Sequence, residues 1–243
     1  MSEGSWRTHR LELSDQTLRG WDASVLASGP DGIVLDRSAF YPGGGGQPPD
    51  EGVLLWGGVQ TRITGARKGD DLYLIPAEGE PLPPAGTAVR GALDDERRTA
   101  LMRTHSALHV LCGVVFRDFG ALVTGGNMEP LTARMDFNLA EVPAGFKESV
   151  ESACNAEVLA DRRIDVRVLP RADAFEIPDI IRTATNLVPA DVAEVRIIDI
   201  NGLDVQADGG THVASTKQIG RIEVAKIENK GKGFRRVRLR VRD

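Results

Sequence analysis

The chain is poor in the residues that would tie it to a disulfide framework or a membrane. Cysteine occurs twice in 243 residues, at Cys112 and Cys154, each among apolar neighbours. That supply builds no disulfide scaffold and fits core thiols in a reducing cytoplasm. No apolar run approaches the ~20 residues that cross a bilayer. The opening Met1-Ser2-Glu3-Gly4-Ser5-Trp6-Arg7 places no apolar stretch behind its charges, which is not the form of a secretory signal. Histidine is scarce as well, with four residues, and no glutamate follows His105. The His-Glu-x-x-His pattern of a metalloprotease, with its built-in general base, is therefore excluded. The rest is ordinary globular material, 41% hydrophobic and 27% charged. Its length suits one large domain or two small ones.

Patterning divides the chain near residue 90. Before it, short apolar runs at Ala23–Ala27, Ile33–Leu35, Val53–Trp56 and Leu72–Ile75 alternate with turn-rich segments such as Gly29-Pro30-Asp31-Gly32. Short strands so closely spaced predict a small β-barrel-like domain over residues 1–90. The proline-rich stretch Glu78–Ala85 is the expected linker. Beyond it, Asp94, Asp95 and Glu96 mark a helix start, and Leu101, Leu108, Leu111 and Val115 recur at helical spacing. This predicts a helix over 95–117 and a second over 143–160. Strands are expected at 121–124, 133–137, 164–169, 195–200, 221–227 and 235–241. Residues 91–243 thus read as an α+β domain, and the whole chain as α+β with a β-rich N-terminal part.

Three of the four histidines fall into spaced pairs. His105 and His109 lie four apart on the expected helix, so their rings project from one face and can share an ion. Asp208 and His212 are also four apart, but Gly209 and Gly210 intervene, so the pair sits on a turn. A donor set of three imidazoles and one carboxylate suits zinc or a similar divalent metal. A tight turn with a capping aspartate is the alternative reading of the second pair.

The residues around both pairs resemble a known family. Arg103-Thr104-His105-Ser106-Ala107-Leu108-His109 and Asp208-Gly209-Gly210-Thr211-His212 are similar to the paired zinc motifs of alanyl-tRNA synthetase editing domains, and most of all to the free-standing alanyl-tRNA editing proteins of the AlaX type. Thr124-Gly125-Gly126-Asn127, Ala133–Phe137 and the stretch from Gly220 to Gly233 support the likeness. Phe40-Tyr41-Pro42-Gly43-Gly44-Gly45-Gly46-Gln47 resembles the glycine-rich motif of the longer members, which carry an extra N-terminal β domain. Two positions depart from the family pattern. Asp208 stands where cysteine is common, and Ser106 where threonine is.

The resemblance implies an ATP-independent hydrolase that deacylates mischarged tRNA(Ala) in trans, acting on Ser-tRNA(Ala) first and Gly-tRNA(Ala) second. It implies Zn2+ or another divalent metal held by His105, His109, Asp208 and His212. It further implies a pocket shaped by Gly43, Gly44, Gly45, Gly46 and Gln47. Ser106, beside a ligand, is expected to read the substrate hydroxyl. The partner is the acceptor end of tRNA(Ala), with no membrane and no obligate protein partner.

The net charge is −5, yet Lys230, Lys232, Arg235, Arg236, Arg238, Arg240 and Arg242 are seven basic residues with no acidic one between them. Arg236, Arg238, Arg240 and Arg242 alternate with apolar residues, so a strand would turn four guanidiniums to one face, where phosphates are the expected contact. Two rival functions differ in what they need. A catalytically inactive RNA-binding or regulatory module needs no metal, and a metal-dependent small-molecule hydrolase has no use for the basic strand.

Overall fold

The computed structural model describes residues 7–243. The chain separates into two compact units. One runs to Gly44 and resumes over Pro48–Thr99, and the other comprises Gly45–Gln47 and Ala100–Asp243.

The first unit is a closed antiparallel barrel. Its strands are β2 (Gly20–Gly29), β3 (Gly32–Leu35), β5 (Gly52–Trp56), β6 (Val59–Lys68), β7 (Leu72–Pro76) and β8 (Ala88–Leu93), in the order β2-β3-β7-β6-β5-β8. A short parallel pair, β1 (His9–Arg10) with β4 (Arg37–Ser38), lies outside that ring. Alternation drives closure: along β6, Thr61, Ile63 and Gly65 are buried while their neighbours are exposed or half-exposed. The barrel is filled by Trp21, Val25, Ile33, Leu35, Leu54, Ile63, Leu72, Leu74 and Val89, with Trp21 edge-on to Phe40 at 5.3 Å. Gly91 belongs to this packing, because a Cβ there would overlap the Trp21 ring.

Two expectations change here. The proline-rich segment from 78 to 85 joins β7 to β8, both barrel strands, so it is a barrel loop and not a linker. The last barrel strand also runs past residue 90, to Leu93.

Helix α1 (Asp95–Phe119) is capped by Asp94, whose Oδ1 accepts the Arg97 N–H at 2.9 Å, and it ends at Gly120, which takes φ +65°. From Leu101 to Val115 nearly every residue of it is buried, so this is a core helix and not an amphipathic one. In the second unit, β9 (Val123–Glu129), β10 (Thr132–Phe137), β14 (Arg221–Asn229) and β15 (Arg235–Arg242) form a sheet ordered β14-β15-β10-β9. Helix α2 (Phe146–Leu159) packs on it, and its Asn155 amide bonds both the N–H and the C=O of Ile222 at 3.0 and 2.7 Å. A second sheet orders β11 (Ile164–Pro170), β12 (Glu194–Ile200) and β13 (Asp204–Ala207), with a one-turn α3 (Arg171–Phe175) following β11. The architecture is α+β, as the sequence pattern predicts. The strand expected at 121–124 begins only at Val123 and continues to Glu129. No helix of the described residues is long and apolar enough to cross a membrane.

One buried charge pair stands out in the first unit. Arg98 and Asp50 are both essentially inaccessible. Arg98 Nε bonds both Asp50 oxygens at 2.9 and 3.0 Å, and Asp50 Oδ2 also accepts the Tyr41 N–H at 2.7 Å. Removing one partner of such a pair leaves an uncompensated buried charge. Asp50→Ala should therefore lower unfolding free energy by about 3–5 kcal/mol in urea titration. A loss below about 1 kcal/mol would place this pair with weak surface bridges instead.

Candidate metal centre

His105 and His109 stand one turn apart on the buried stretch of α1, and Asp208 and His212 flank the Gly209-Gly210 turn after β13. All four belong to the second unit. The structure brings one ligand atom from each within 4.8 Å of every other. The three imidazole centroids lie 4.3, 4.7 and 5.2 Å apart, and all three rings are buried.

Each ring is held from behind through Nδ1. Gln47 Oε1 lies 2.9 Å from His105 Nδ1 and also accepts the Thr211 backbone N–H at 3.1 Å. A backbone donor requires an oxygen there, so His105 Nδ1 must carry its proton and donate, which leaves a lone pair on Nε2. His109 Nδ1 donates to Asp204 Oδ2 at 3.1 Å. His212 Nδ1 meets Ser106 Oγ at 3.2 Å, and that oxygen also accepts the Val213 N–H. His105 and His212 turn Nε2 toward Asp208. Its Oδ2 is 3.6 Å from His105 Nε2, and its Oδ1 is 3.3 Å from His212 Nε2.

Asp208 also closes its own turn, with Oδ1 accepting the Gly210 N–H at 2.6 Å. The capping alternative and the ligand reading are therefore compatible. Gly210 is required by packing: a Cβ there would overlap the His105 ring and lie 2.8 Å from Gln47 Oε1.

Burial sets the protonation states. It pushes the His105 imidazole down to about 4, and burial beside His105 holds His212 well below its ordinary value. For His109, burial acts in the same direction, but the hydrogen bond and charge of Asp204 outweigh it and raise the pKa. Burial opposes ionisation of Asp208 too, yet its histidine neighbours keep the carboxyl well below the usual range. An ionised, largely buried carboxylate beside three imidazoles is a donor set that fits a divalent cation.

Residues 195–238 match the family described as "Threonyl and Alanyl tRNA synthetase second additional domain". The chain is 37% identical to an alanyl-tRNA editing protein AlaX-M of Saccharolobus solfataricus over 95% of this chain and 97% of that one. It is 33% identical to an AlaX-M protein of Methanosarcina acetivorans, again over 95% and 97%. The chain belongs to the AlaX family of alanyl-tRNA editing proteins. The likeness extends to the alanine–tRNA ligase of Pyrococcus furiosus, at 35% identity over 95% of this chain and 25% of that much longer enzyme.

Within this AlaX-family chain the other expected site residues are distributed unevenly. The glycine run is divided: Gly43 and Gly44 count with the first unit, and Gly45–Gln47 with the second. Gly45 lies beside Asp208, where a Cβ would sit 3.6 Å from Oδ2, and the Gly46 carbonyl accepts the Met128 N–H.

Ser106 is fully buried, with Oγ 3.2 Å from His212 Nδ1 and accepting the Val213 N–H, so its hydroxyl supports a histidine of the cluster.

The basic strand is also less free than its sequence suggests. Arg235 bonds carbonyls of Phe234 and Ala140, and Arg236 is clamped by both oxygens of Asp136 at 2.7 and 2.8 Å. Arg238 pairs with Glu228, while Arg240 and Arg242 pair with Glu223; these three stay about half exposed. Lys230 and Lys232 are exposed in the β14–β15 turn. Strand register sets Lys226, Arg238 and Arg134 side by side across three strands, a cationic row that the one-strand pattern does not reveal.

Gly210→Ala tests the packing at the centre. The added methyl must displace the His105 ring, so unfolding free energy should fall by about 1–3 kcal/mol, as for other overpacked sites. The His105 ring resonances should shift in the same variant; an unperturbed His105 with full stability would contradict this geometry.

Proposed function

We propose that this chain is a trans-editing deacylase that hydrolyses the aminoacyl ester of mischarged tRNA(Ala), with seryl-tRNA(Ala) preferred and glycyl-tRNA(Ala) second. The observation that carries the reading is the convergence of three imidazoles and one carboxylate in a chain of the AlaX family. His105, His109, His212 and Asp208 would hold the ion, zinc on this reading, with the carboxylate widening the choice to other divalent metals. Such an ion supplies Lewis acidity toward water and the ester carbonyl.

The protein's own residues supply placement. Gln47 keeps the His105 proton on Nδ1, and Ser106 steadies His212. Gly45 places no side chain beside Asp208, where the aminoacyl end would lie. An alanine pocket discriminates poorly against an isostere with one added hydroxyl, roughly 100-fold. A second site that hydrogen-bonds that hydroxyl spares alanine, because alanine leaves the site's polar groups unpaired. With Ser106 occupied, we assign this recognition to the Gly45–Gln47 part of the glycine loop. Phosphates of the acceptor end would meet Arg238, Arg240, Lys230 and Lys232, together with Arg134 and Lys226.

The test offers seryl-, glycyl- and alanyl-tRNA(Ala) and follows amino-acid release. Seryl release should be fastest, alanyl release slowest, and chelation should stop all three. His105→Ala should abolish release while leaving the protein folded; full activity in that variant would refute the mechanism. Release without any divalent ion would refute it equally.

Charge reversal tests the RNA surface. Arg238→Glu with Arg240→Glu should cost on the order of tenfold or more toward charged tRNA, partly recovered at low salt. Unchanged turnover would favour a small-molecule ester as substrate.

A further inference from the structure

Asp204 opens β13 with a side chain that is 0% exposed. Its two oxygens have different duties. Oδ1 receives Arg182 Nε at 3.3 Å, and Arg182 in turn lies over the Phe116 ring at 3.7 Å. Oδ2 receives His109 Nδ1 at 3.1 Å and Gln206 Nε2 at 2.6 Å. A carboxylate present only to neutralise a buried arginine would need one of these oxygens. Here the second is given wholly to the histidine and to an amide that fixes the same oxygen.

Gln47 and Ser106, both neutral, stand behind His105 and His212, whereas His109 has a carboxylate behind it. A carboxylate accepting from Nδ1–H locks tautomer and ring orientation, and makes the opposite nitrogen a stronger donor.

We propose that Asp204 is a positioning residue of the centre: it holds His109 with its proton on Nδ1, so that the Nε2 lone pair is presented to a divalent cation with raised basicity. The proposal rests on reading the cluster as a metal centre. Asp204 does not touch the reacting ester; it acts through His109. Arg182 anchors the carboxylate from the far side.

The experiment uses the full chain and Co2+ as the probe, with affinity measured by chelator competition. The hyperfine-shifted, solvent-exchangeable Nδ1 protons of His105, His109 and His212 are read by NMR. Asp204→Asn keeps the shape but loses the charge, and it should weaken Co2+ binding by about 10–100-fold and broaden the His109 proton alone. Arg182→Gln breaks the same ion pair but retains a donor to Oδ1. It should reduce thermal stability while changing Co2+ affinity less than about threefold, well short of the loss at a direct outer partner. Equal affinity losses in both variants, or none in Asp204→Asn, would overturn the positioning role. Should Asp204→Asn fail to fold, the metal-free parent chain still decides: 15N shifts must show His109 protonated on Nδ1, and an unprotonated Nδ1 overturns the proposal. A parent chain that binds no Co2+ would instead sink the metal reading itself.

Discussion

Three imidazoles with centroids no more than 5.2 Å apart, beside an ionised carboxylate, are the constraint on which the second unit depends. Were all three rings protonated, they would repel one another in a medium with little water to screen them. With their inward nitrogens unprotonated, they would direct lone pairs at a shared point. That arrangement persists in the fold because each outer nitrogen has a partner and because Gly210 leaves the His105 ring its space. A divalent cation is the species that satisfies lone pairs and carboxylate together. Helix α1 suits the task because it is buried around its circumference, so neither histidine can swing away to solvent.

Much of this was legible in the chain. Histidine spacing on a helix and an aspartate–histidine pair spanning two glycines identify the four convergent residues, and apolar periodicity places α1 and α2 within a few residues. Burial side and partner were not legible. Ser106 looks like an exposed neighbour of a ligand, but α1 is buried on that side as well, and its hydroxyl goes to His212. Asp204 carries no local motif; its meaning comes from His109, which lies 95 positions away. Strand β6 escaped because threonine and glycine occupy inward positions where an apolar pattern is sought.

The basic C-terminal strand shows the same limit from the electrostatic side. Read alone, it is a row of free guanidiniums. In the sheet, Asp136 comes from β10 and Glu223 and Glu228 from β14, and they answer Arg236, Arg238, Arg240 and Arg242. Exposed pairs of this kind contribute little stability, so the carboxylates tune the surface more than they hold the fold. Lys226, Arg238 and Arg134 also stand in a row running across strands, which one-dimensional alternation cannot display.

With Asp208 beside the three histidines, the candidate donor set of this chain is three nitrogens and one oxygen. Cys112, on α1 with His105 and His109, is buried, and burial pushes its thiol well above the ordinary value. X-ray absorption at the zinc edge of the zinc-loaded chain distinguishes these directly, since zinc–sulfur distances of about 2.3 Å stand apart from nitrogen and oxygen at about 2.0–2.2 Å. The account predicts three imidazole scatterers, one carboxylate oxygen and no sulfur. A sulfur shell, or fewer than three imidazoles, would contradict it.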